Sequence, residues 1–308
     1  MNPAGAPAQA VTASAPGRLE LSGEGDGPRL SVALDRRASC RVEAIQGGVE
    51  IESKESLTKA SAPGVAELVD CSPRSLAAQA LALLGAASGF RVVTEWKVPA
   101  GSGIEGGAAL ALATTAAVSR ALGREDEPAR LIALAREVAE RAGRTDDHGL
   151  HAALFGGVVL TRGRAGALEA ERPAIDPGRI DESLLVVDGG APEAAGGAEA
   201  SPLGPSASAS RTGPIVEALR CGRYEDVVAL LAEEPRASDA GPAQRRIVEL
   251  VRAAGGAARP LGTGRLVAVW APPGLRGPGR REAVEAALKA SGLKPLAVRV
   301  DLRGLELD

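Results

Sequence analysis

Aromatic residues are almost missing from this 308-residue chain: two Trp, one Tyr and two Phe, or 2%. Its core must therefore be closed by Ala, Leu and Val, and no aromatic residues alternate with basic ones as a base-stacking platform requires. Cysteine stops at three, Cys40, Cys71 and Cys221. Their isolated, uneven spacing matches no metal pattern and builds no disulfide framework, so a reducing cytoplasm is the expected location. A dominant charge is also missing. Thirty-six Lys and Arg against 39 Asp and Glu leave a net charge of −3, and the scattered basic residues offer no footprint for nucleic acid. Long hydrophobic runs are absent too: nothing reaches the roughly 18 uncharged apolar residues of a membrane span. The Ala-rich run after Gly106 comes nearest and ends at Arg120. The start, MNPAGAPAQAVTASAPG, lacks the basic region and apolar run of a secretory signal.

What is present is ordinary for a globular protein: 45% apolar and 24% charged residues, long enough for one large or two moderate domains. Residues 1–12 read as a disordered leader. Short strands are expected near Arg18–Leu21, Arg29–Asp35, Ser39–Ala44 and Val49–Ser53, with Gln46-Gly47-Gly48 as a hairpin turn. A helix is expected from Pro73 to Ala87 with Ser72 as its cap, then a strand over Phe90–Val98. A second amphipathic helix fits EPARLIALAREVAERAG, with Pro128 at its start and Gly143 past its end. FGGVVLTRG and SLLVVDGG read as buried strands, and 191–210 as a mobile low-complexity loop. Helices follow near Thr212–Leu219, Tyr224–Glu233 and Pro242–Ala254. After them come a strand in RLVAVWA, a helix in GRREAVEAALKASG and a final strand in PLAVRVDLRG. Strands and helices mix throughout, an α+β pattern with sub-domains expected at 13–180 and 181–308.

The stretch VPAGSGIEGGAALALATTAAV, Val98 to Val118, carries the most chemistry. Gly101, Gly103, Gly106 and Gly107 precede a helix, where backbone N–H groups and the helix dipole suit a phosphate. A plain tight strand-to-helix turn has the same form, and the Gly-Lys-Ser/Thr ending of a P-loop is absent.

This stretch resembles the second motif of the GHMP kinases (galactose, homoserine, mevalonate and phosphomevalonate kinases), Pro-x-Gly-x-Gly-Leu-Gly-Ser-Ser-Ala-Ala. Pro99, Gly101, Gly103, Ile104, Ala108 and Ala109 fit it. APGRLELSGEGD, Ala15 to Asp26, resembles the first motif, RLSVALDRRASCRVE the strand pair after it, and FGGVVL the strand after the catalytic segment. ARPLGTGRLVAVWA stands where the third motif would be, and LAVRVDLRGLELD resembles the C-terminal strand of the heptose 7-phosphate kinase branch. The resemblance runs along essentially the whole chain. It implies a two-subdomain GHMP-kinase-like α+β fold, with a ribosomal-protein-like α/β N-terminal domain and a ferredoxin-like C-terminal one. It implies a kinase moving the γ-phosphate of ATP, with Mg²⁺, to a hydroxyl of a sugar or sugar phosphate, as a monomer or homodimer. Residue by residue, it assigns the nucleotide to Pro99, Gly101, Ser102, Gly103, Ile104, Glu105, Gly106, Gly107 and Ala108. It assigns the substrate to Glu24, Asp26, Gly262, Thr263 and Gly264, catalysis to Arg18 with Asp147 or Asp146, and Mg²⁺ to Glu137 or Glu140.

The departures from that pattern open a second reading. Gly106 and Gly107 replace the family's two serines, and Glu105 replaces its glycine. Glu105 can face solvent as a helix-N-terminal acid, repel a triphosphate, or serve as an Mg²⁺ ligand. Counting back from Gly156-Gly157 without a gap puts Gly149 at the family's Asp; Asp146 or Asp147 reaches that place only if residues bulge out. His148 and His151 lie beside them as a polar cluster. Arg18 also reads as a structural ion pair, Arg265 as a strand-start residue within reach of a phosphate, and Asp188 as a strand-end residue. A non-catalytic member of the family binding a metabolite or protein partner is the alternative function.

Overall fold

The two longest strands, β1 (Val11–Ser22) and β2 (Arg29–Ala44), pair antiparallel along almost their whole length. Pro16, which has no N–H to give, sits where their register shifts, between Pro16 and Gly17. The shift bends β2 so that its two halves serve different neighbours. Arg29–Val32 pair with β6 (Val158–Arg162), while Ala38–Ala44 pair with β5 (Phe90–Trp96). The two strands expected over Arg29–Asp35 and Ser39–Ala44 are therefore one bent strand. The computed structural model describes the chain except 1–9, 24–26, 99–103, 145, 165, 190–210, 234–239, 262–264 and 275–278. Much of the expected leader and all of the expected 191–210 loop lie outside the described residues; Val11 and Thr12, assigned to the leader, begin β1.

The first sheet continues through β3 (Val49–Ser53) and β4 (Thr58–Ala62), in the order β12-β1-β2-β5-β3-β4, with β7 (Glu169–Glu171) on β6 and β12 (Glu306–Leu307) on β1. The turn at Gln46–Gly48 does not close a hairpin, because β5 inserts between β2 and β3 and pairs parallel with β3. Two short helices, α1 (Val65–Cys71) and α2 (Leu76–Leu83), follow β4; the cap of α2 is Ser75, whose side chain accepts from Ala78 N, instead of Ser72.

Helix α3 (Gly107–Ala121) explains the alanine content. All side chains from Ala108 to Ser119 are buried, as expected of a helix without a polar face. It lies against β1 and β2, with α2, α4 (Pro128–Arg141) and α5 (Asp147–Phe155) around it. Small side chains let these elements approach closely where aromatics would not fit.

The second sheet is β11 (Pro295–Leu296), β8 (Leu184–Asp188), β10 (Leu266–Trp270) and β9 (Ala257–Pro260) in that order, all antiparallel, with α7 (Thr212–Arg220), α8 (Tyr224–Ala232), α9 (Pro242–Ala253) and α10 (Arg280–Ala290). Trp270 is its largest fully buried side chain. One apolar cluster joins both sheets, from Leu19, Leu30 and Leu160 to Ile180, Leu184, Ile215 and Trp270. The expected boundary at 180 and 181 falls inside α6 (Pro177–Ser183). Among the described residues no helix is long and apolar enough to cross a membrane.

The expected final strand is divided between the sheets. After β11 the chain crosses back to β2, with Asp35 N donating to Arg299 O at 2.8 Å and Asp301 N to Ala33 O at 2.9 Å, before β12 joins β1. Asp301 fastens that crossing. It is 4% exposed and accepts from Arg37 Nη1 at 2.6 Å and from Arg303 N and Nη2 at 2.9 and 3.1 Å. Burial opposes its charge, but these donors hold its carboxyl below the ordinary value. The stability it supplies is thus present above the usual carboxylate range and lost as pH falls through the lowered folded-state value. Asp301→Asn should cost about 1.5–3 kcal/mol at pH 7 in denaturant unfolding. That difference from wild type should shrink as pH falls below the ordinary carboxylate range and be gone below the lowered folded-state value.

Candidate functional site

Asp146 is the N-cap of α5, its Oδ1 accepting from Gly149 N at 3.0 Å. A Cβ at position 149 would lie 2.1 Å from Asp146 Oδ2, so Gly149 makes room for the carboxylate. The cap geometry turns both carboxylate oxygens toward Arg18, which donates from Nη2 at 3.0 Å and from Nε at 3.3 Å. This is the paired-donor arrangement that suits guanidinium and carboxylate.

Arg18 is 2% exposed. Its Nη1 reaches Ser31 Oγ at 3.0 Å and Glu20 Oε2 at 3.4 Å, and Nη2 also meets Glu105 Oε2. Burial works against the guanidinium charge, yet Asp146, Glu105 and Glu20 together hold its pKa above the usual value. The backbone repeats the link to Glu105: Arg18 N donates to Glu105 O at 3.0 Å and Glu105 N to Arg18 O at 2.9 Å. Desolvation, with Asp146 and Glu20 close by, pushes the Glu105 carboxyl up to about 7 against the pull of Arg18. Glu20 is shared in turn with Arg29 at 3.0 Å and with Arg259 of β9 at 3.3 Å, tying the first sheet to the second. His148 contacts Thr161 Oγ1 through Nδ1 at 2.7 Å, and burial beside Arg29 and Arg18 pushes its imidazole down to about 4, leaving it neutral.

The structure brings Arg18, Glu105 and Asp146 of the expected set together and leaves Asp147 apart. Asp147 accepts from Arg136 Nε and from Gly166 N, both at 2.7 Å, joining α5 to α4. Glu105 is exposed on one side, as a solvent-facing acid would be, while its carboxylate pairs with Arg18 on the other. Glu137 pairs with Arg141 one turn along α4, and Glu140 is exposed. Among the described residues no three His, Cys, Asp or Glu side chains form a metal site. Glu137 and Glu140 thus belong to no three-residue cluster among the described residues, whereas Mg²⁺ shared with nucleotide phosphates needs only one or two carboxylates. His151 does not join His148; it is buried and stacks on Phe155 at 6.2 Å between centroids. Arg265 is held by Asp188 at 2.6 Å, so it is a strand-pairing residue. Pro99, Gly101, Ser102, Gly103, Glu24, Asp26, Gly262, Thr263 and Gly264 lie outside the described residues.

Three contributors escaped sequence reasoning. Glu20 lies two residues after Arg18, hence on the same strand face, and that period was the available signal. Arg259 arrives from the other sheet, which no local pattern announces. Trp96, at the end of β5, fills the space beside Gly106: a Cβ there would lie 2.3 Å from its Cε2, and one on Gly17 2.4 Å from its Cη2. Nearby, a cavity of about 400 Å³ opens between the β3–β4 hairpin and the start of α2, lined among others by Ser53, Thr58, Ser75, Leu110 and Arg144.

Residues 73–157, which include α3, Asp146 and Gly156-Gly157, match the GHMP kinases N terminal domain. A comparison with curated protein sequences finds no match. Solved structures agree over nearly the full length. A D-glycero-D-manno-heptose 1-phosphate kinase from Bacteroides thetaiotaomicron is 18% identical with a TM-score of 0.74, covering 97% of this chain and 98% of its own. Galactokinase from Lactococcus lactis, complexed with galactose, is 14% identical with a TM-score of 0.73, covering 99% and 96%. Homoserine kinase from Cytophaga hutchinsonii is 16% identical with a TM-score of 0.70, both chains covered completely. At such identities these likenesses speak for the fold. Residues 73–157 are thus similar to the N-terminal domain of the GHMP kinases, and the whole described chain has the fold of these kinase structures.

Proposed function

We propose that the protein is a small-molecule kinase that transfers the γ-phosphate of Mg·ATP to a hydroxyl of a sugar or sugar phosphate. The observation that carries this reading is the buried Arg18 fastened through two hydrogen bonds to Asp146. Phosphoryl transfer asks the protein mainly for positioning and for charge opposite the developing phosphate. Asp146, oriented by its cap and by Arg18, would accept a hydrogen bond from the acceptor hydroxyl and set its attack line. Arg18 would offer positive charge at the transferred group. The first turn of α3 supplies backbone N–H groups for the phosphates, and the cavity beside it, about 400 Å³, is of a size to take a nucleoside. Mg²⁺ held on the nucleotide's phosphates would supply neutralisation of their charge.

Glu105 supports a second reading. Its carboxylate already sits on Arg18, where an incoming phosphate would need to act, and this favours a non-catalytic protein that binds a metabolite or a protein partner. Mg·ATP separates the two. A kinase should gain about 2.7 kcal/mol of stability at a hundredfold excess over Kd; wild type and Glu105→Gln both unmoved by millimolar Mg·ATP would favour the second reading.

Asp146→Ala should lower turnover by about 10²–10⁴-fold. Asp147→Asn, which alters only the tie to Arg136 and Gly166, should stay within a few-fold of wild type. Equal losses in the two variants would remove the assignment of Asp146. With its carboxyl near 7, Glu105 is mostly neutral below that pH and mostly charged above it. Mg·ATP affinity should therefore weaken as pH rises from about 6 to about 8, and Glu105→Gln should flatten that profile.

A further inference from the structure

Gly106 and Gly107 remove two side chains from the turn that opens α3, and the surroundings treat the two positions differently. At 106 the indole of Trp96 fills the space, with Cε2, Cζ2 and Cδ2 at 2.3, 2.5 and 2.6 Å from where a Cβ would stand. No hydroxyl-bearing side chain fits there while Trp96 keeps its place. At 107 the space is open, and the nearest atom to an added Cβ is Arg144 Nη1 at 3.8 Å. A guanidinium thus stands over the first turn of α3 where a side-chain hydroxyl would have projected.

Arg144 is exposed, and among the described residues its side chain has neither a hydrogen-bond nor an ion-pair partner. The acids around it are already engaged. Asp146 is bound by Arg18 and Gly149 N, and Asp147 by Arg136 and Gly166 N. Across the cavity, Glu52 is paired with Lys59 at 3.2 Å and Glu55 accepts from Thr94 at 3.0 Å. Arg144 also lines the cavity of about 400 Å³, so it stands between that space and the start of α3.

We propose that Arg144 is the polyphosphate-binding residue of this protein, replacing with its planar donors the hydroxyls that Trp96 and two glycines have displaced. The inference rests on the nucleotide reading above for the identity of its ligand. Its own content is a charged oxyanion held between Arg144 and the start of α3. Arginine suits the task because its fixed donors can meet two phosphate oxygens at once.

The test is calorimetric titration of wild type, Arg144→Ala and Arg144→Lys with Mg·ATP, with inorganic tripolyphosphate and with adenosine. Arg144→Ala should weaken Mg·ATP and tripolyphosphate by about 10- to 100-fold, leave adenosine unchanged and unfold at the wild-type temperature. Arg144→Lys should recover part of the loss. Equal Mg·ATP affinity in wild type and Arg144→Ala would overturn the proposal and leave the nucleotide reading standing. Equal weakening of adenosine would overturn it as a mere loss of cavity shape. Tripolyphosphate binding that depends on Arg144, without ATP binding, would uphold the proposal and remove the nucleotide reading. Wild type binding neither would end both.

Discussion

A single buried guanidinium organises the centre of this molecule. Arg18 comes from β1, Asp146 from the cap of α5 and Glu105 from the approach to α3, and they meet only because the fold brings residues 128 positions apart within 3.0 Å. Removing a charge from water is costly, and a buried ion pair is sustained only when its remaining donors and acceptors are also satisfied. Here they are: Arg18 reaches Ser31 and Glu20 as well, and Asp146 accepts from Gly149 N. The consequence is positional. Asp146 cannot rotate away without breaking two bonds to a buried cation and its cap on α5, so its carboxylate is set before any ligand arrives, which is what preorganised catalysis requires.

The same packing accounts for the altered glycine turn. Trp96, one of only two tryptophans, sits where it forbids side chains at Gly17 and Gly106. A protein whose core is otherwise built of Ala, Leu and Val has placed one large ring against the turn that opens α3. A side chain at 106 and Trp96 in its present place therefore exclude one another. Beside it, Glu105 brings a titratable acid onto Arg18, so the charge offered to an anion depends on pH as well as on geometry.

Much of this was legible from residues alone, for reasons that differ by element. The helix α4 could be read because Pro128 opens it and Gly143 follows its end, and α9 because its apolar spacing is strongly one-sided. The Gln46–Gly48 hairpin failed because the partner of β3 is β5, a pairing decided by distant chain and invisible to a local turn signal. β2 read as two strands because a register shift interrupts its apolar alternation. The tail read as one strand because nothing local marks where it leaves one sheet for the other. At the site, the motifs pointed to Arg18 and to either Asp146 or Asp147. Cap geometry decides which of those acids meets Arg18, since only Asp146 precedes α5 with Gly149 three residues on. Arg259 and Trp96 acquire their roles through contacts between separate elements, which no spacing encodes.

The central claim is that Arg18 and Asp146 act as one unit on the transferred phosphate. A double-mutant cycle tests it directly: initial rates of ATP turnover for wild type, Arg18→Met, Asp146→Asn and the double variant, with sugar and sugar-phosphate acceptors. If the pair acts together, the double variant should be no slower than the slower single variant. Losses that multiply, or an Asp146→Asn protein turning over at the wild-type rate, would contradict the account.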